Sequence, residues 1–190
     1  MKVLICCEFS GEVRDAFTAN GHNAWSCDLL PSERGPQHIQ ADLRSVIEWN
    51  SWDFIGFHTD CTFMCNSGVR WLSTDQSRWG KLELACELFN LCLRHPAKGY
   101  LENPIPHRHA VERIDRNYDQ TIQPWQFGHP ETKRSCLWLK GVPPLVPTNI
   151  VEGREARVHR MPPGPNRWKD RSRTLPGIAS AMAKQWGAQS

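Results

Sequence analysis

Cys61 lies in the stretch Phe57-His58-Thr59-Asp60-Cys61-Thr62-Phe63-Met64-Cys65-Asn66-Ser67-Gly68, which is polar enough to reach solvent. A thiol in such a loop is a candidate nucleophile once it has lost its proton. Glu102 follows an apolar run, Lys98 to Leu101. A carboxyl group in that setting can have its pKa raised by burial and give a proton to a ring nitrogen. Phe9-Ser10-Gly11 follows another apolar run, and its turn can bring backbone N–H groups and a helix N-terminus toward a ligand. Asp28 stands 17 residues after Gly11, near the spacing at which an acid hydrogen-bonds ribose hydroxyls. Each feature also has a plainer reading. Asp28 suits a turn or helix cap, Cys61 a structural thiol, Glu102 a surface ion pair, and Phe9-Ser10-Gly11 an ordinary strand–helix turn.

The elements that must position these residues alternate. Short apolar runs predict strands at Lys2–Cys7, His22–Cys27, His38–Ala41, Trp52–Phe57 and Lys98–Leu101. Helical spacing of Val13, Ala16 and Phe17 predicts a helix that ends at Asn20-Gly21. A short helix is expected from Asp42-Leu43 to about Trp49. The longest one, Thr74 to His95, buries Leu82, Ala85, Cys86, Phe89 and Leu93 and stops at Pro96. This order argues for an α/β fold: a Rossmann-like, doubly wound, mostly parallel sheet. Ligands of such sheets bind outside the carboxyl ends of the strands. Each of the five predicted strands delivers polar or small residues to that rim: Glu8 to Glu12, Asp28, Asp42, Asp60-Cys61 and Glu102-Asn103-Pro104. Beyond Ile105 two more strands, Gln120–Phe127 and Ser135–Leu139, are expected, then a small irregular C-terminal part and a closing helix from Thr174 to Trp186.

At 190 residues the chain suits one domain with a real core. No apolar run approaches the roughly 18 residues of a membrane span, and Glu8 follows the N-terminal apolar run too soon for a signal peptide. A cytoplasmic location is expected. The eight Cys, at 6, 7, 27, 61, 65, 86, 92 and 136, contain no Cys-x-x-Cys pair and are expected to be mostly reduced, buried and without metal. Of the nine Trp, the core is expected to hold Trp49, Trp52, Trp138 and Trp186, while Trp71, Trp79 and Trp168 could face a base.

In order and type, these motifs resemble the cytosine-C5 DNA methyltransferases, and more narrowly their compact phage- and prophage-borne relatives. Phe9-Ser10-Gly11 is similar to the family's Phe-x-Gly-x-Gly, with Val13 at the second glycine. Asp28-Leu29 and Asp42-Leu43 resemble the acidic ends of its second and third motifs. Cys61 falls on the catalytic Pro-Cys, Glu102-Asn103-Pro104 on Glu-Asn-Val, and Gly128 to Ser135 on Gly-x-Pro-Gln-x-Arg-x-Arg. Strings such as Asn66-Ser67-Gly68-Val69-Arg70-Trp71 and Gln123 to His129 carry the narrower likeness. The resemblance implies S-adenosyl-L-methionine as cofactor, held by Phe9, Ser10, Gly11, Asp28, Leu29, Asp42 and Leu43. It implies Cys61, Glu102, Asn103 and Lys133 as the catalytic set, acting at C5 of cytosine through a Cys adduct at C6. Alternatives are the same chemistry on a free pyrimidine nucleotide, and a catalytically weakened relative that binds DNA or a partner. This sequence departs from the family pattern at Thr59-Asp60, where the family has Pro-Pro, and at Lys133 and Ser135, where it has arginines.

The family's large target-recognition domain has no counterpart; residues 141–173 are an irregular, Pro-rich insert. From Arg154 to Arg173 the chain carries seven Lys or Arg against two Asp or Glu. Arg157, Arg160, Arg167, Lys169, Arg171 and Arg173, with Arg134, are candidate phosphate contacts, and Trp168 a stacking surface. The expected partner is DNA or a pyrimidine nucleotide, the strand state is open, and a homo-oligomer is possible.

Overall fold

Alternate residues of the run Lys2–Cys6 (β1) serve two different layers of the core. Val3 and Ile5 face one layer, Leu4 and Cys6 the other, as a central parallel strand requires. The computed structural model describes residues 1–49 and 51–188. After β1 come α1 (Glu12–Ala19), β2 (Asn23–Asp28), β3 (His38–Gln40), α2 (Leu43–Val46) and β4 (Phe54–Phe57). A 3-10 helix (Asn66–Leu72), α3 (Ser77–Arg94), β5 (Lys98–Pro104) and α4 (Arg108–Val111) follow. The chain continues through β6 (Gln120–Ile122), a 3-10 turn (Pro124–Gln126), β7 (Ser135–Lys140), α5 (Arg157–Arg160), α6 (Arg167–Ser172) and α7 (Pro176–Gly187).

One seven-stranded sheet has the order β3-β2-β1-β4-β5-β7-β6. Its first five strands are parallel, and β7 runs antiparallel to both β5 and β6. One face is covered by α1 and α7 through Val13, Phe17, Ile178, Met182 and Trp186. The other is covered by α3 through Leu82, Cys86 and Phe89, with α2 adding Leu43 and Val46. The architecture is α/β with a mostly parallel sheet flanked by helices, consistent with a Rossmann-like fold. Among the described residues no helix is long and apolar enough to cross a membrane.

Several elements differ from the sequence expectation. The strand expected at Gln120–Phe127 stops at Ile122. Pro124 has no N–H for a ladder, and Gln123 and Gln126 close a capping box around the 3-10 turn instead. β5 runs on to Pro104, past the expected end at Leu101, because β7 pairs along it: Glu102 opposite Leu137, Asn103 opposite Cys136. α3 begins at Ser77 rather than Thr74. Trp49 is not in the core but 56% exposed, whereas Trp52, Trp138 and Trp186 are buried. Trp79 packs on the α3 layer and donates to the Leu72 carbonyl at 3.0 Å, so it does not face a base.

Arg14 is the polar hub beneath the rim. Its side chain is 1% exposed. Its guanidinium donates to Asp15 Oδ1 (2.8 Å), Ser26 Oγ (3.1 Å) and the Arg34 carbonyl (2.7 Å), with longer bonds to Ser32 Oγ and the Gln37 carbonyl. These bonds tie the loop between β2 and β3 to α1. Arg14→Met would leave several buried acceptors without a charged donor, and we expect a loss of about 2–4 kcal/mol in unfolding free energy. Urea-induced unfolding measures it, and a loss below about 1 kcal/mol would mean that the loop is held by other contacts.

Candidate active site

The carboxyl ends of β1, β2, β4 and β5 converge on a cavity of about 570 Å³. Phe9, Ser10, Asp28, Leu29, Asp42 and Leu43 line one half, and His58, Cys61, Glu102 and Lys133 the other. The structure thus brings together residues nominated from six separate stretches of sequence.

The first half is built on Glu8, which is buried at the end of β1. Its carboxylate accepts from the N–H groups of Val13 (2.6 Å) and Arg14 (3.1 Å). The N-terminus of α1 is therefore satisfied by the protein's own carboxylate, and a ligand phosphate there would meet negative charge. Burial pushes the Glu8 carboxyl up to about 7, against the opposing pull of those two N–H groups and Arg14. Gly11 does not line the cavity, contrary to the sequence expectation. It has φ 72°, and a Cβ there would lie 2.3 Å from Arg14 Nη2, so its missing side chain makes room for the Arg14 guanidinium and not for a ligand.

Asp28 is half-buried at the end of β2, and its carboxylate accepts from Leu30 N–H at 2.9 Å. Burial raises its pKa, while those N–H groups and His38 oppose the rise. Asp42 caps α2 through Arg44 N–H and also pairs with the Arg44 side chain at 3.0 Å. Both acids act as caps and both face the cavity. Phe9 and Leu43 provide apolar walls, and Leu29 stands exposed at the mouth. This half of the cavity thus offers a carboxylate between apolar walls and no free helix N-terminus.

In the second half, β5 alternation sends Glu102 toward the cavity on the same side as Tyr100. Asn103 points the other way. It is fully buried, does not line the cavity, and neither its amide oxygen nor its nitrogen has a hydrogen-bond partner among the described residues. The expected catalytic role of Asn103 is not supported: one step along a strand reverses the side chain. His58, which sequence reasoning did not single out, joins the set. Its Nε2 meets the Tyr100 hydroxyl at 2.7 Å, and its Nδ1 lies 4.0 Å from Glu102 Oε2. Burial lowers its pKa, and Glu102 partly restores it. The available signal was its place as the first residue beyond β4.

Lys133 reaches the cavity from the segment before β7. Its backbone N–H donates to Gln123 Oε1 (3.2 Å) and its Nζ to the Arg173 carbonyl (3.0 Å). Burial lowers its pKa, opposed by Glu102 and Cys61. The same segment is locked to α7, where Gly177 N–H donates to His129 Nε2 at 3.0 Å and a Cβ at Gly177 would lie 1.9 Å from the Phe127 carbonyl oxygen.

The Cys61 loop is ordered without prolines. Asp60 Oδ1 accepts from Thr62 N–H (2.9 Å) and the Thr62 hydroxyl (2.5 Å), closing a turn that directs the carboxylate to Thr62. Cys65 N–H donates to the Cys61 carbonyl at 3.0 Å, which sets the two thiols side by side. Cys65 opens the 3-10 helix, and its sulfur receives the Ser67 hydroxyl (3.0 Å) and backbone N–H groups of Ser67 and Gly68. The Cys61 hydrogen bond, with those from Ser67 and Gly68, lowers the Cys65 pKa against the effect of burial. Cys61, donating to it, is held well above the ordinary thiol range; burial, the Cys65 charge, Glu102 and Asp60 add to that. All eight cysteines are free thiols, six of them buried.

The basic residues divide. Arg171 and Arg173 line the cavity mouth with Trp168. Arg173 also pairs with Glu33 at 2.6 Å, Lys169 lies 3.8 Å from Glu33, and Arg157 forms a two-pronged pair with Glu131 at 3.0 and 3.1 Å. Arg167 donates to the Met161 carbonyl. Arg134 and Arg160 are exposed and away from the cavity. The expected phosphate-tracking row is largely engaged within the protein, because acids remote in sequence fold back onto it. Compared with known proteins, the chain matches no family model and no curated sequence.

Two measurements follow from these environments. Cys65→Ala removes the largest influence on Cys61, so Cys61 should become alkylated at lower pH, and Asp60→Asn should move it the same way by less; peptide-resolved iodoacetamide labelling across pH reads both. For Glu8, the folded pKa of about 7 lies above the ordinary glutamate value of 4.5, so folding favours its protonated form. Its contribution is fully present below about pH 4.5 and is lost as pH rises to about 7. The stability of the parent relative to Glu8→Gln should fall across that window in thermal melts. A flat difference would mean that Glu8 is ionised throughout.

Proposed function

We propose that the protein is an S-adenosylmethionine-dependent methyltransferase acting at C5 of cytosine in a nucleic acid. The observation that carries this reading is the single cavity in which Phe9, Asp28 and Leu43 face Cys61, Glu102 and Lys133. Asp28, between the apolar walls, would hold the ribose of the cofactor. Bound there, the cofactor would supply an electrophilic methyl group, for which the protein needs only to bind and orient it.

The protein's own residues prepare the base. Cytosine C5 is a poor nucleophile. Addition of the Cys61 thiolate to C6, with a proton from Glu102 held at N3, gives C5 enamine character. Lys133, near both Glu102 and Cys61, offsets the negative charge of the thiolate and of Glu102 after it has given up its proton. His58, braced by Tyr100, lies against Glu102 and limits where its carboxyl can point. Once C5 is substituted, loss of its proton to a base lets the Cys61 sulfur leave. A base within a duplex would first have to be flipped out.

A catalytically weakened, binding-only relative is the second reading, favoured by the Cys65 and Asp60 influences that keep Cys61 protonated. Methyl transfer from labelled cofactor to a cytosine-containing oligonucleotide separates the two. In the active case, Cys61→Ala should abolish transfer, by at least about 10³-fold, while binding S-adenosylhomocysteine within about twofold of the parent. Asp28→Ala should instead weaken S-adenosylhomocysteine about tenfold or more in calorimetric titration. Full turnover by Cys61→Ala would remove Cys61 from the chemistry, and no turnover by the parent at any pH would leave the binding-only reading.

A further inference from the structure

The rim beside Cys61 carries cations that form no close ion pair, although the exposed Asp75 carboxylate acts on Arg78 and Lys81 from a longer distance. Arg70, Arg78, Lys81 and Arg108 have no carboxylate partner among the described residues. The first three form one patch around the loop that holds the thiol. Arg78 and Lys81 stand over the Phe63 ring at 4.7 and 5.7 Å, and Phe63 is two residues from Cys61. A Cβ at Gly68 would lie 3.4 Å from Arg78 Nη2, so the guanidinium also lies under the 3-10 helix that ends in Arg70, Trp71 and Leu72. Arg70 stacks over Trp71 at 4.6 Å, and Trp71 is 47% exposed. His107 ties the start of α4 to the same loop, its Nδ1 accepting from Ala110 N–H and its Nε2 therefore donating to the Phe63 carbonyl at 2.9 Å, while the neighbouring Arg108 donates to His109 Nε2 at 3.2 Å. Arg78 Nε is buried with no hydrogen-bond partner, an unmet donor at the centre of the patch.

We infer that this rim binds a single-stranded nucleic acid and leads it into the cavity. Arg70, Arg78 and Lys81, each set against an aromatic ring, match a chain of phosphates with exposed bases. An acidic peptide would use the charges but not the rings. A duplex would hide the base faces that Trp71 can stack on. In a single strand the target base is already free of pairing, so its entry to the Cys61 side carries less of the flipping cost. In residues 154–173, by comparison, Arg157, Lys169 and Arg173 have internal carboxylates, whereas Arg154, Arg160, Arg167 and Arg171 have none among the described residues, so variants of the two faces compare them directly. This inference rests on the reading of the cavity as a cytosine site.

Fluorescence anisotropy with a labelled single strand of about 12 nucleotides, and with the duplex of the same sequence, tests it. The single strand should bind more tightly than the duplex. Arg78→Gln with Lys81→Gln should weaken it at least about tenfold at roughly 0.1 M salt and reduce the slope of log K against log salt by about 1.4. Arg157→Gln with Arg160→Gln should bind like the parent. Should the Arg78/Lys81 variant melt early, Arg70→Gln with Trp71→Ala tests the same face at its exposed end and should weaken binding about fivefold or more. Duplex preference, or weakening confined to the Arg157/Arg160 variant, overturns the inference. So does no binding of any oligonucleotide by a parent that binds S-adenosylhomocysteine, and that result leaves a free-nucleotide substrate for the cavity. Single-strand binding on this face without methyl transfer sustains the inference and overturns the proposed activity instead.

Discussion

In-register parallel pairing of β1 with β2 on one side and β4 on the other is the constraint on which the rest depends. Cys6 is opposite both Cys27 and Phe57, so the three strands end at one level. β4 in turn holds β5 with Phe57 opposite Leu101. The residues just past that level, Glu8, Asp28, His58 and Glu102, therefore reach one cavity. A one-residue slip in any pair would turn its polar residue into the apolar layers that flank the sheet. The apolar layers on both faces make such a slip costly and so hold the polar rim in place.

Polar groups beneath that rim work as supports. Glu8 closes the N-terminus of α1, and Arg14, in the first turn of that helix, anchors the loop that carries Leu30 to Gln37. Arg173 and Lys169 meet Glu33 from the far end of the chain, and Arg173 also approaches Glu12. The first βα unit and the C-terminal segment thus share the cavity mouth, where charge pairing fixes the approach of Trp168 to Phe9, with ring centroids 5.7 Å apart.

The Cys61 loop is held in shape by its own side chains. An Asp60–Thr62 turn replaces the restraint that prolines would impose on φ. The replacement leaves a carboxylate and a second thiol near Cys61, and both oppose its ionisation. Lys133 and the unpaired cations around Phe63 bring positive charge to the other side of the loop. The balance between these groups, rather than any one of them, sets whether the thiol is available near neutral pH.

By itself the sequence determined the α/β class, the order of the parallel strands' polar ends and most of the cavity lining. Those features are written in local patterns: short apolar runs, helical spacing, and polar residues directly after strands. Phe9, Asp28, Asp42, Cys61 and Glu102 were legible for that reason, whereas Lys133, which precedes a strand, was nominated only by the family resemblance. Tertiary structure alone decided which neighbours point inward. Asn103 is turned away by the extension of β5 against β7, and His58 is drawn in by Tyr100 and Glu102 across the sheet. It also decided which cations are free. The basic run at residues 154–173 looks the more exposed to an anion in sequence, yet acids at positions 12, 33 and 131 fold onto Arg157, Lys169 and Arg173, while Arg70, Arg78 and Lys81 each stand over an aromatic ring. Charge pairing depends on distance through space, which no spacing along the chain records.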